Sequence, residues 1–149
     1  MPNRAACLIT IFLILGLPLP TAANDNIENL INQALQKTET GNLSEAQTIL
    51  EEAVKSAPSS SLAHTRLGGV QLLRQEYSSA IRNFQQAVML DQSNSEAFVG
   101  LAVAYLHLGK YQVAKQALKQ AEQLDPAKKQ EIDKVVAWLN QRSPERYGH

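Results

Sequence analysis

The sequence predicts an all-α chain, a stack of three helix hairpins closed by a seventh helix. Three observations carry that prediction. Apolar residues recur at three- and four-residue steps, as Phe98, Leu101, Ala102 and Tyr105 do, which gathers them on one face of a helix. The same pattern then returns at a step of about 34 residues, from Ala114 to Ala80 to Ala46. Finally, aromatics make up 5% of the chain while Ala, Leu and Gln are frequent, which suits packed helices better than sheet. At 149 residues there is enough chain for one domain with a real core.

The pattern is clearest from Ser95 to Pro126. Phe98-x-x-Leu101-Ala102-x-x-Tyr105 forms one helical face, Gly109 ends that helix, and Ala114, Ala117, Leu118 and Ala121 form the stripe of a second, closed at Pro126. One period earlier, Ala114 becomes Ala80, Leu118 becomes Phe84, Ala121 becomes Ala87 and Tyr111 becomes Tyr77. A further period gives Ala46, Leu50, Ala53 and Leu43. In period and residue types the chain resembles the tetratricopeptide repeat, a helix-turn-helix unit. The resemblance covers three units, about 27–60, 61–94 and 95–128. Departures are local: Gln33 stands where the others have Leu67 and Leu101, Gln75 where they have Gly41 and Gly109, and Gln92 where they have Pro58 and Pro126.

Taken in order, Met1–Ala23 reads as an export signal. Arg4 supplies the positive end, Ala5–Leu17 is an apolar run, Gly16, Pro18 and Pro20 interrupt it, and Thr21-Ala22-Ala23 offers small residues to cut behind. The run is shorter than the roughly 18 residues that span a bilayer. An uncleaved anchor is the alternative. Cys7, the only cysteine, precedes the run instead of following it, so it does not match a lipidation signal, and cleavage after Ala23 would leave no thiol for disulfide or metal. The solenoid then occupies residues 24–141. Asp25 with Glu28, and later Ser93 with Glu96, are read as capping boxes. Ile27, Leu30, Ile31, Ala34 and Leu35 form the first stripe and Leu43, Ala46, Ile49, Leu50, Ala53 and Val54 the second. Leu62, Leu67, Leu72 and Leu73, then Tyr77, Ala80, Ile81, Phe84, Ala87 and Val88, form the second hairpin. Beyond Pro126 a capping helix of about 128–141 carries Ile132, Val135, Val136 and Leu139 inward, with Trp138 at the edge of the stripe. The tail, 142–149, is expected to be mobile.

Ala46, Ala80 and Ala114 are expected where paired helices cross most closely, and Phe84 in the gap between adjacent hairpins. Charge excludes one class of partner: 14 basic and 14 acidic residues leave nothing to attract nucleic acid or an anionic membrane. His64, His107 and His149 have no metal-ligand spacing, and no phosphate loop or nucleophile elbow occurs. His64 takes the place of the large aromatic Phe98, so packing is its expected role. No catalytic site, cofactor or metal is expected.

What remains is a surface. The resemblance implies that the first helix of each hairpin lines a concave groove that holds a peptide or an amphipathic helix. Its lining would be Ile31, Leu35, Leu62, Thr65, Arg66, Gly69, Leu72, Val99, Val103, Leu106 and His107. Members that grip a terminal carboxylate do so at places matching Ile31, Leu35, Arg66, Glu96 and Gly100, where only Arg66 could serve. The expected function is a protein-binding adaptor, periplasmic or secreted, that assists envelope complexes and does not stay in the membrane once cleaved. A homodimer with its groove occluded, or a membrane-tethered scaffold, are the alternatives.

Overall fold

The structure, a computed structural model, describes residues 22–142. The expected leader and tail lie outside these residues, apart from the helical backbone at 22, 23 and 142. The helices are α1 (Ala22–Glu39), α2 (Leu43–Ser56), α3 (Ser61–Leu73), α4 (Tyr77–Leu90), α5 (Ser95–His107), α6 (Tyr111–Leu124) and α7 (Lys129–Arg142). A short 3-10 turn (Pro126–Lys128) precedes α7. Among the described residues there is no strand.

The turns inside the three hairpins are copies of one another. Gly41, Gln75 and Gly109 all take the left-handed conformation, at φ +79°, +65° and +70°. In each, that residue's N–H donates three residues back and the next N–H donates five residues back, as Gln75 does to Leu72 O (3.0 Å) and Glu76 to Gln71 O (2.8 Å). This paired closure satisfies the last carbonyls of α1, α3 and α5. Gln75 adopts it without glycine's freedom, which costs an L-residue about 1–2 kcal/mol.

Two expected capping boxes are replaced by other arrangements. α1 already begins at Ala22, so Asp25 lies within its first turn and does not cap it. At α5 the cap is Asn94, whose Oδ1 accepts the Ala97 N–H at 2.9 Å. Ser93 instead turns back, its N–H and hydroxyl both donating to Asp91 Oδ1 (2.9 and 2.6 Å). Those bonds hold the Asp91 carboxyl below its ordinary pKa. Ser60 caps α3 by accepting the Ala63 N–H at 3.2 Å.

Ala46, Ala80 and Ala114 are each 0% exposed, as close helix crossing requires. The apolar core divides into two clusters. One joins α1 and α2 to the inner face of α3, through Ile31, Ala46, Leu50, Leu67 and Val70. The other joins α4, α5, α6 and α7, through Phe84, Ala87, Leu101, Leu118 and Leu139. Between α3 and α4 part of the interior is polar. His64 Nδ1 lies 3.0 Å from Asn83 Oδ1 and its Nε2 3.1 Å from Pro58 O, while Asn83 Nδ2 donates to Gln71 Oε1 at 2.8 Å. His64 is thus buried as expected, but held by hydrogen bonds and not by packing alone.

Phe84 links hairpins two and three. A Cβ added at Gly68 would sit 3.0 Å from its ring, and one at Gly100 only 2.3 Å. The ring occupies space that two glycines vacate. At the far end α7 buries Ile132 and Leu139 and keeps Glu131, Lys134 and Asn140 exposed, the arrangement a terminal helix needs. Lys129 Nζ ties it to α6 by donating to Glu122 Oε1 at 2.7 Å.

Candidate functional site

A cleft of about 370 Å³ opens on the first helices of the three hairpins. Its walls follow the repeat phase. Ile31, Thr65 and Val99 form one row across α1, α3 and α5, and Leu35, Gly69 and Val103 form the next. Leu72 and Leu73 close the end toward the hairpin turns, and Phe84 reaches up from beneath.

Eight of the eleven residues expected in the groove meet here: Ile31, Leu35, Thr65 and Arg66, with Gly69, Leu72, Val99 and Val103. Three stand outside the cleft. Leu62 is exposed near the start of α3. Leu106 packs against the C-terminal apolar cluster. His107, at the end of α5, stacks on Tyr77 with ring centroids 4.5 Å apart and planes 8° from parallel. All five positions matching the carboxylate grip also line the cleft, Glu96 and Gly100 included. Ala34, Thr38, Leu50, Val70 and Leu73 line it without having been expected. Thr38 and Leu73 were within reach of the sequence: Thr38 shares the repeat phase of Leu72, and Leu73 lies one helical turn beyond Gly69.

The cleft is less polar than its residue types suggest. Thr38 Oγ1 donates to Ala34 O and Thr65 Oγ1 to Ser61 O, both at 2.8 Å, so neither hydroxyl is left to donate into the cleft. Asn94 Nδ2 also donates to Thr65 Oγ1 at 2.9 Å. Arg66, the one cation lining the cleft among the described residues, pairs with Glu96 across the gap between α3 and α5. Its Nε is enclosed without a partner. The shifted titratable groups lie elsewhere: Asp125 is held low by its hydrogen bond from Lys128, and Lys129 is held high by Glu122 and Asp133. Among the described residues no group of three or more His, Cys, Asp or Glu could hold a metal. No described helix is long and apolar enough to cross a membrane.

Three stacked helix hairpins with a cleft along their first helices define a helical-repeat solenoid. Models of the tetratricopeptide repeat match residues 32–94 and 71–139, so that together they take in all of 32–139. The chain belongs to the tetratricopeptide repeat family, and the repeat is a protein-interaction module.

No curated protein matches it in sequence. Solved structures do match in fold. The first such domain of Spaghetti (RPAP3), bound to an HSP90 peptide, is 17% identical with a TM-score of 0.77, over 81% of this chain and 95% of that one. The Yersinia enterocolitica type III secretion chaperone SycD, in complex with a peptide of the translocator YopD, is 18% identical with a TM-score of 0.74, over 80% and 95%. MamA is 21% identical with a TM-score of 0.75, over 81% and 70%.

Proposed function

We propose that the protein is an exported adaptor that holds a peptide or amphipathic helix of a partner protein in the cleft on α1, α3 and α5, and so helps assemble or retain complexes of the cell envelope. The observation that carries this reading is the cleft itself, open to solvent and apolar along both rows but for Thr65, whose hydroxyl donates to its own helix. Such a surface suits the apolar face of a helix laid into a groove. Two structures of like fold lend support, since SycD and the RPAP3 domain were each solved with a peptide bound. Export rests on Arg4, the apolar run Ala5–Leu17 and the small residues at 21–23. A homodimer burying the same apolar rows is the second reading.

A photo-crosslinking residue at Val103, compared with one at exposed Glu51, tests the adaptor in its native cell. Capture of one envelope protein from 103 and none from 51 is the expected result. Capture of a second copy of this chain from 103 would replace the adaptor with the dimer. Mass spectrometry of the exported protein should find a chain beginning at Asn24; one beginning at Met1 in the membrane fraction would replace export with anchoring.

A further inference from the structure

The polar atoms of the cleft narrow what can occupy it, and this step rests on the peptide-groove reading above. We infer that the occupant is an amphipathic peptide that presents a wholly uncharged face, seats one bulky apolar side chain over Gly69, and is selected against acidic competitors by Glu96.

The seat comes from the glycines. A Cβ added at Gly69 meets no atom within 4 Å, whereas the same atom at Gly68 or Gly100 meets the Phe84 ring. Gly69 is therefore the point where the floor of α3 drops away. Leu35 and Val103 flank it in the same row, and Leu72 and Leu73 follow one turn on, so the walls around the gap are aliphatic. About 370 Å³ is at the low end of the roughly 300–1,000 Å³ that encloses a small ligand. A helix is about 10 Å across with its side chains. It must therefore stay above the cleft and insert only a few of them.

The selection comes from Arg66 and Glu96. A carboxylate entering the cleft needs a free donor, and no threonine offers one, because Thr38 and Thr65 donate to carbonyls of their own helices. Arg66 is held by Glu96, which itself lines the cleft. Arg66 keeps N–H groups beyond the one it gives Glu96, but a carboxylate that reaches them sits beside Glu96 and faces a like charge. An uncharged face disturbs nothing.

The test uses synthetic peptides of about 16 residues, capped at both ends and long enough to become helical when bound. The parent carries Leu along one face with a central Phe. A second has Ala in place of Phe, and a third has Glu there. Affinity is read by fluorescence anisotropy. Wild type should bind the parent, bind the Ala peptide about tenfold more weakly, and show no binding of the Glu peptide. Gly69→Leu should fill the seat, keep its helical signal, and lose the parent peptide by about tenfold or more. Gly69→Ala, which adds one methyl to open space, should lose a smaller part while melting no lower than wild type. Glu96→Gln should gain the Glu peptide by releasing Arg66. Parent peptide bound equally by wild type, Gly69→Ala and Gly69→Leu would overturn the seat yet leave the groove. No gain at Glu96→Gln would overturn the selection. No binding of the parent by wild type, or binding untouched by Val103→Asp, would overturn the groove reading itself.

Discussion

His64, Gln71 and Asn83 in the second hairpin stand where the third has Phe98, Tyr105 and Ala117, one period further on. The two hairpins share a backbone, down to the paired hydrogen bonds that close each turn. Their interiors hold by different means. In the third, Phe98 and Tyr105 pack against the C-terminal apolar cluster. In the second, a chain of hydrogen bonds runs from Pro58 through His64 and Asn83 to Gln71, and the two apolar clusters stop on either side of it. Apolar packing is non-directional, and it loses roughly in proportion to what is removed. A buried polar chain fixes its geometry more sharply, but removing one member leaves the next unsatisfied.

The largest effect expected is at the link between the two. Phe84→Ala should lower stability by about 3–5 kcal/mol, because the ring fills space vacated on both α3 and α5. Urea unfolding measures it, and a loss below about 1 kcal/mol would mean that the hairpins hold together elsewhere. Asn83→Ala comes next, at about 1–3 kcal/mol, since Gln71 Oε1 loses its donor and His64 its neighbour. The combined exchange His64→Phe, Gln71→Tyr and Asn83→Ala gives hairpin two the interior of hairpin three. It should recover most of that loss. A triple variant no more stable than Asn83→Ala would show that the two hairpins are not interchangeable inside.

Gln75→Gly should raise stability by up to about 1 kcal/mol, by giving the second turn the residue its φ of +65° favours. Gly109→Gln should do the reverse in the third hairpin.

The smallest expected effect concerns the third hairpin's dependence on α7. Lys129, held above its ordinary pKa by Glu122 and then by Asp133, contributes while it is charged. That contribution is complete below the ordinary lysine value of about 10.4. It fades as pH rises through the higher folded value. Trp138, the only tryptophan, lies on α7, so its emission should shift over that range in wild type and stay flat in Lys129→Met. A shift of equal size in both would assign the transition to another group.

Much of this was legible in the sequence. The phase of the repeat placed Ala46, Ala80 and Ala114 at the crossings and put two full rows of the cleft in register, because both depend only on helical spacing and a constant period. Local signals at helix starts were less secure. Ser93 and Glu96 have the spacing of a capping box, yet the neighbouring Asn94 takes the cap and Ser93 is drawn to Asp91. Polar contacts between elements were beyond reach. Nothing in the order of residues pairs Arg66 with Glu96, since that pairing depends on how α5 sits beside α3. His107 shares its place in the period with Leu73, but the Tyr77 ring claims its imidazole before it can line the cleft.

The emptiness above Gly69 runs against the interest of its own helix. Alanine there would strengthen α3 by about 1 kcal/mol and touch nothing. A population selected in the laboratory for heat resistance alone should therefore acquire that methyl early, and its survivors should be hardier and emptier-handed. Whatever keeps this position bare is a demand made from outside the helix.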